Sequence, residues 1–274
     1  MNTAGIVSAI ALSAAMAMTA EGASPQISCK ARGMDVEVTF YSSSIVRVQK
    51  SPVEKKIDKN SLVVIKTPEN VEVKTSGSSD MLTAASSEVS VAVDTNTGAV
   101  TFTSPSTGKV LLTDYSTSFS PESHNGTDYT RVKGSFMLDE EEPIYGIGQV
   151  MDGQMNRRNS SHHLQNENMF TYSPYFMSPT KGYAVYIDNY SISDFNDNRQ
   201  LMEFSQLGDS FDYYFMTGDT PDDIIANVRD LTGHAPMLPL WAYGFFQSKE
   251  RYTTQQESLD VLKKYRDLKV PIDV

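Results

Sequence analysis

The sequence has a single cysteine, Cys29, in 274 residues. One cysteine excludes an intramolecular disulfide framework and a zinc site built from cysteines. Positive charge is also scarce, since 23 Lys and Arg stand against 34 Asp and Glu, for a formal net charge of −11. That balance argues against a nucleic-acid partner, which needs a concentrated basic surface. With 39% hydrophobic and 10% aromatic residues, the chain can fold into one or two domains with sizeable cores.

Long hydrophobic runs are missing, apart from a short run over residues 6–18. This run is too short to span a bilayer and is typical of the apolar region of a secretory signal. Ala15 and Ala17 offer a cleavage site, although no Lys or Arg precedes the run. The alternative is a disordered or core-packed N-terminus. We expect a signal peptide over residues 1–23, export to the periplasm or the extracellular space, and no membrane span.

The middle of the chain has the periodicity of β-strands. Apolar residues alternate with polar ones at Met34, Val36, Val38 and Phe40, and again at Val89, Val91 and Val93. A polar stretch ending at Gly98 then leads to Val100 and Phe102, which predicts a hairpin. Further short apolar runs lie at 110–112, 183–187 and 211–216, and the serine-rich residues 76–79 predict an exposed loop. Many short strands without helices between them predict a β-sandwich or barrel over residues 24–219.

The pattern changes at Thr220, which can cap a helix that has Pro221 at its first position and Gly233 at its end. We expect a linker helix within residues 220–235. The apolar run 240–246 then predicts a strand buried on both faces. Thr254 and Glu257 predict a capping box for a second helix, and residues 270–274 predict another strand.

This β-α-β order is typical of the start of a larger α/β domain over residues 236–274. A last strand without neighbours would leave an exposed edge. We therefore interpret the chain as a fragment of a longer protein or a truncated gene model.

Few residues suggest chemistry by themselves. Gly146 and Gly148 begin like a dinucleotide loop, but Met151 stands where the third glycine is needed. His162 and His163 are adjacent, so on a strand they point to opposite faces and make poor joint metal ligands. No Ser-His-Asp arrangement is recognisable. Nothing in the sequence calls for a cofactor.

Two stretches remain as candidate binding sites. Residues 152–168 are rich in Asn, Gln, Arg and Asp, and Tyr172, Pro174, Tyr175 and Phe176 follow them. Amides beside aromatic faces suit sugar hydroxyls, whereas the alternative is an ordinary loop beside core aromatics. The second stretch, residues 247–252, would lie at the C-terminal face of a barrel, where active sites form. Its alternative is a solvated connection in which Glu250 and Arg251 only pair with neighbours.

Several segments together resemble glycoside hydrolase family 31, the α-glucosidases and α-xylosidases. They are Tyr145-Gly146-Ile147-Gly148-Gln149, Met155-Asn156-Arg157-Arg158, residues 178–183 with Asp188-Asn189, and the long run from Leu238 to Tyr252. The resemblance covers residues 28–274 and is strongest after Glu142. It implies a galactose-mutarotase-like β-sandwich, followed here by the first β-α unit of a truncated (β/α)8 barrel.

The resemblance also implies a retaining, exo-acting mechanism on α-linked glucosides or xylosides. Both catalytic carboxylates would lie on later barrel strands, so the fragment alone is expected to be inactive. Asn166 and Asn168 match a sandwich loop that reaches the barrel mouth, and Gln247, Lys249 and Arg251 match the first barrel loop. These five residues are the candidate substrate-binding residues, with an oligosaccharide as the partner.

Two rival functions fit parts of the sequence. One is a non-catalytic carbohydrate-binding sandwich with a vestigial tail. The other is a mutarotase-like epimerase, which is disfavoured because no paired His and Glu share a motif.

Overall fold

A computed structural model describes residues 26–53, 55, 60–168 and 170–274. The predicted signal peptide, residues 1–23, lies outside the described residues. The chain divides into a first compact unit that ends at Gly233 and a second over His234–Val274. No helix in the described residues is long and apolar enough to cross a membrane.

The described part of the first unit has two antiparallel sheets. The seven-stranded sheet has the order β1 (Gln26–Ala31), β2 (Met34–Phe40), β3 (Ile45–Pro52), β16 (Phe211–Thr217), β13 (Tyr183–Ile187), β12 (Thr171–Ser178) and β10 (Tyr145–Gln149). The nine-stranded sheet has the order β11 (Ser161–Leu164), β14 (Ser193–Asp197), β15 (Leu201–Leu207), β9 (Thr127–Met137), β8 (Val110–His124), β7 (Val100–Thr103), β6 (Ser90–Asp94), β5 (Met81–Ala85) and β4 (Lys74–Gly77).

The alternation of apolar residues places one face of each sheet in a shared core. On β2 every second residue from Met34 to Phe40 is buried. Aromatic rings of both sheets meet in this core, where Phe102 of β7 stacks on Phe215 of β16 with ring centroids 4.0 Å apart. The predicted mostly-β sandwich is therefore confirmed.

The predicted hairpin between β6 and β7 is also confirmed. The Asp94 carboxylate accepts hydrogen bonds from the backbone N–H groups of Asn96 and Thr97, both at 2.8 Å, and Gly98 closes the turn at φ +76°. The prediction of a loop over residues 76–79 is wrong at its start, because Ser76 and Gly77 belong to β4. Among the described strands it pairs only with β5, and all four of its residues are exposed.

Three polar groups of the two sheets meet inside the core. The Lys50 Nζ of β3 lies 2.6 Å from the Asp114 Oδ2 of β8, and both side chains are completely buried. The Tyr213 hydroxyl of β16 donates to the same carboxylate oxygen at 2.8 Å. Burial lowers the pKa of Lys50 and raises the pKa of Asp114. We call these three residues the inter-sheet charge cluster.

Helix α1 (Pro221–Thr232) forms as the sequence predicts. The Thr220 side chain accepts from the Asp223 N–H, the Asp223 carboxylate accepts from the Thr220 N–H, and Gly233 ends the helix. Its buried residues Ile224 and Leu231 pack against the outer face of the seven-stranded sheet. The segment expected to be a linker helix thus belongs to the sandwich unit.

The second unit starts differently from the prediction. A 3₁₀ helix covers Leu240–Tyr243, where we predicted the beginning of a buried strand, and Trp241 is 55% exposed. A continuous apolar run does not by itself distinguish strand from helix, and here Pro239 introduces the tight turn by accepting from the Ala242 N–H. The strand prediction over residues 240–243 is therefore wrong.

Extended pairing begins two residues later. The Val274 N–H donates to the Phe245 carbonyl, and the Gln247 N–H donates to the Val274 carbonyl. This alternation is the hydrogen-bond pattern of two parallel strands. Helix α2 (Gln255–Asp267) lies between them with Thr254 as its N-cap. The Glu257 carboxylate accepts from the Thr253 N–H, one residue before the position that a capping box requires.

Candidate functional site

The Gly146-Ile147-Gly148 segment of β10 is a β-bulge, in agreement with the rejection of a dinucleotide loop. All three residues have positive φ, and the register with β12 shifts between the two glycines. A Cβ on Gly148 would lie 2.1 Å from the Thr171 carbonyl oxygen. Glycine at 148 thus allows β10 to approach β12 at Thr171 and Tyr172.

A groove of about 330 Å³ lies beside the part of β12 that pairs with this bulge. It is lined by Leu164, Gln165, Asn166, Tyr172, Pro174, Asn189, Tyr190, Ser191, Ile192 and Ser193. Its size falls within the range of small-ligand pockets. We call it the amide groove, because the Asn and Gln amides stand beside serine hydroxyls and the tyrosine and proline rings. None of the described residues that line it carries a formal charge.

The two predicted sandwich residues take different places. Asn166 lines the amide groove, and its Oδ1 accepts a hydrogen bond of 2.6 Å from the Tyr172 N–H. Asn168 is exposed at a tight turn, where Glu167 and Phe170 exchange backbone hydrogen bonds. The structure therefore brings Asn166 to the groove and leaves Asn168 at the tip of the next turn.

The aromatic residues predicted beside this stretch separate in the same way. Tyr172 and Pro174 line the groove, and the Tyr172 ring lies nearly parallel to that of Phe170, 6.0 Å away. Phe176 is completely buried in the core. Tyr175 packs with the outer cluster under α1, and burial raises its pKa to about 12. Tyr175 and Phe176 separate because β12 points successive side chains to opposite faces.

Sequence reasoning missed the opposite wall of the groove, residues 189–193. The Asn189 Nδ2 donates to the Ser191 carbonyl at 3.0 Å and to the Ser193 Oγ at 2.8 Å, and its Oδ1 accepts from the Ser191 N–H at 3.2 Å. The Asn189 side chain therefore hydrogen-bonds to three groups of this loop. The available signal was the Asp188-Asn189 pair, which contributes to the resemblance.

The Asn156-Arg157-Arg158 segment supports neighbouring loops. The Arg158 Nε donates to the Asp197 Oδ2 at 2.6 Å, and its Nη1 donates to the Asp139 and Glu142 carbonyls. His162 and His163 share β11 but face different surroundings, as predicted. In the part of the chain that the structure describes, no group of three His, Cys, Asp or Glu side chains could hold a metal ion.

In the second unit, Gln247 and Lys249 contact neighbours on their own unit. The Gln247 Oε1 accepts from the Tyr265 hydroxyl, and its Nε2 donates to Tyr252 at 3.3 Å. The Lys249 ammonium pairs with Glu257 and lies 5.2 Å from the Tyr252 ring centroid. Lys249 and the Thr253 N–H hold the pKa of Glu257 at about 2. Arg251 is exposed.

Asp273 fixes the start of this loop, a role that the sequence did not reveal. Its Oδ2 accepts from the Phe245 N–H at 2.9 Å. A Cβ on Gly244 would lie only 2.0 Å from that same oxygen. Glycine at 244 therefore admits the carboxylate that orients the extended segment before Gln247.

Comparison with known proteins agrees with both units. Residues 35–196 match the glycosyl hydrolase 31 N-terminal galactose mutarotase-like domain, and residues 235–274 match the TIM-barrel domain of glycosyl hydrolases family 31. An alpha-xylosidase of Saccharolobus solfataricus is 34% identical over an alignment of 258 positions that covers 88% of this chain and 34% of that protein. Alpha-glucosidase 2 of Bacillus thermoamyloliquefaciens is 27% identical over 87% of this chain and 31% of its own length.

Solved structures show the same fold. A GH31 alpha-xylosidase from a soil metagenome, complexed with xylose, superposes with a TM-score of 0.77 at 22% identity, over 90% of this chain and 39% of that one. The present chain spans about a third of the length of the curated relatives that it resembles. The match to the N-terminal galactose mutarotase-like domain alone covers more than half of the chain. The chain therefore belongs to glycoside hydrolase family 31.

Proposed function

We propose that the chain is the N-terminal part of an exported, retaining, exo-acting glycosidase for α-linked glucosides or xylosides. In this proposal the amide groove binds a neutral sugar of the substrate. The relatives that carry the names alpha-xylosidase and alpha-glucosidase support the reaction class. Export rests on the apolar run over residues 6–18.

The observation that carries the binding proposal is the uncharged lining of the amide groove. Charged residues make up 21% of the sequence, yet the described residues around the groove are amides, hydroxyls, aromatic rings and aliphatic groups. Neutral sugars need hydrogen-bond donors and acceptors together with a flat apolar surface. Asn166 supplies an amide, Ser191 and Ser193 supply hydroxyls, and Tyr172 and Pro174 supply rings.

Replacing Tyr172 tests the groove directly. We expect Tyr172→Ala to raise the Kd for maltose about threefold to tenfold, because a ring contact with a sugar face is lost. Isothermal titration calorimetry of the chain with maltose measures the change.

Tyr129→Ala is the matched control, since Tyr129 is 43% exposed on β9 and does not line the groove. It should leave the Kd unchanged. Equal affinity of Tyr172→Ala and the unaltered chain would contradict a sugar site at this groove.

We propose a role in substrate binding for three residues of the second unit, as the resemblance implies: Gln247, Lys249 and Arg251. Gln247 and Lys249 already bond to Tyr252, Tyr265 and Glu257, so we propose that they hold the loop in its conformation. Arg251 is exposed and is the one assigned to substrate contact.

We expect the chain alone to show no glycosidase activity. A retaining mechanism needs two carboxylates about 5 Å apart, one as nucleophile and one as acid and base. The family resemblance assigns both to later barrel strands. An assay with aryl α-xyloside and aryl α-glucoside should give no turnover above a tag-only control, and turnover of either substrate would refute this expectation.

A further inference from the structure

The tip of the β8–β9 hairpin carries the one Asn-Gly pair of the sequence, Asn125-Gly126. Both residues are exposed and have positive φ, at +51° and +78°. The flanking residues His124 and Thr127 are paired, so the loop has two residues and the backbone signs of a type I′ turn. A Cβ on Gly126 would have no atom within 4 Å.

Among the described residues, no further strand pairs with the outer part of this hairpin, residues 121–130. β8 pairs with β7 only over residues 110–114, and β9 pairs with β15 only over residues 131–137. The outer part of the hairpin, residues 121–130, forms strand pairs only within itself. An isolated two-stranded hairpin is marginally stable, so the tip can open locally while the sandwich core stays intact.

We propose that Asn125 is a site of spontaneous covalent modification, in which its amide is converted to aspartate and isoaspartate. The deprotonated backbone nitrogen of Gly126 attacks the Asn125 Cγ, and a nitrogen–carbon bond forms. The Cγ–Nδ2 bond breaks, and Nδ2 leaves as ammonia after taking up a proton. Water then opens the resulting succinimide at either carbonyl, without oxidation or reduction.

Glycine at position 126 makes this step accessible, because no side chain shields the attacking nitrogen. Asn159 provides an internal contrast. It is also exposed and also has positive φ, at +57°, but Ser160 follows it and places a Cβ beside the nitrogen. Asn125 and Asn159 thus have similar backbone conformation and exposure, and they differ in the residue that follows them.

Asp152-Gly153 is the corresponding pair with aspartate in place of asparagine, and it should form a succinimide slowly. The Asp152 carboxylate accepts from the Gln154 N–H at 2.9 Å and from Arg157 at 2.7 Å. These bonds keep it ionised, and a carboxylate is a poor electrophile. At Asn125 the product adds one negative charge, and isoaspartate lengthens the turn by one backbone carbon.

The test is peptide mapping by mass spectrometry after incubation of the chain at mildly acidic and at alkaline pH. We expect a mass gain of one dalton at Asn125, with isoaspartate present, at a rate about tenfold higher per pH unit because the nucleophile must lose its proton. The rate at Asn125 should exceed that at Asn159 at every pH.

Asn125→Gly is the matched variant, since Gly-Gly also suits a type I′ turn. It should abolish the gain in this peptide. An unmodified Asn125 at alkaline pH, an equal rate at Asn159, or a gain that persists in Asn125→Gly would each overturn the proposal.

Discussion

Lys50→Met is expected to lower the free energy of unfolding by about 3–5 kcal/mol, because it leaves the Asp114 carboxylate buried without its cation. Lys50 and Asp114 are completely buried and 2.6 Å apart, in different sheets. Methionine has a length similar to that of lysine, so the substitution removes the charge and little of the packing. Urea denaturation of the chain measures the loss.

A second substitution should reverse much of this loss. In Lys50→Met/Asp114→Leu no charge remains in the inter-sheet charge cluster, and a buried ion pair replaced by apolar residues is often neutral in stability. The Tyr213 hydroxyl then lacks its acceptor, which costs about 1–3 kcal/mol. Adding Tyr213→Phe should recover that part. The triple variant is therefore expected to be more stable than Lys50→Met alone.

Lys133→Met is the matched control for the charge cluster. Lys133 pairs across strands with Glu203 at 3.5 Å, but its side chain is 48% exposed. Removing an exposed ion pair should change the unfolding free energy by less than about 1 kcal/mol. Equal losses from Lys50→Met and Lys133→Met would show that the buried cluster has no special role.

Gly148→Ala is expected to cost about 3 kcal/mol or more, since it combines a strained backbone with a clash. Gly148 has φ +97°, and an added Cβ would lie 2.1 Å from the Thr171 carbonyl oxygen and 2.7 Å from the Tyr172 Cα. Both are backbone atoms, which cannot rotate away. The variant should lower the midpoint of thermal unfolding and also weaken maltose binding, because Tyr172 lines the amide groove.

Gly108→Ala separates strain from the clash. Gly108 also has positive φ, at +71°, but a Cβ there would meet no atom within 4 Å. It should cost only the strain, of order 1–3 kcal/mol, and should leave binding unchanged. Equal losses from Gly148→Ala and Gly108→Ala would show that the close approach of β10 to β12 does not require glycine at 148.

The sandwich strands were largely predictable, because their signal is local. On β2 and β6 the alternation of apolar residues is visible in the sequence, and burial follows it. The α1 boundaries were equally visible, because Thr220 and Pro221 determine the start of the helix locally and Gly233 determines its end.

The 3₁₀ helix at Leu240–Tyr243 was not predictable in this way. Residues 240–246 carry no periodicity that separates a strand from a tight helix, and the bonds from Ala242 to Pro239 and from Gly244 to Trp241 decide the conformation. Likewise, the register that brings Lys50 to Asp114 depends on the packing of two sheets across 64 residues of sequence, and no local pattern reports it.

Only one wall of the candidate site was predictable from the sequence. Asn166, Tyr172 and Pro174 stood out as polar and aromatic residues close in sequence. The wall over residues 189–193 belongs to a different connection between strands. Its sequence resembles that of any polar turn, so the hydrogen bonds of the Asn189 amide that shape it were not visible. Asn168 has the right chemistry, yet the turn between Glu167 and Phe170 places it outside the groove lining.

The central claim, a neutral-sugar site in the amide groove, is tested most directly by a titration of the ¹⁵N-labelled chain with maltose, followed by backbone chemical shifts. We predict saturable shifts at residues 164–166, at Tyr172 and at residues 189–193, all with one Kd, while the β8–β9 tip at residues 123–127 stays unchanged. Shifts confined to other regions, or none in the groove at saturating maltose, would contradict the account.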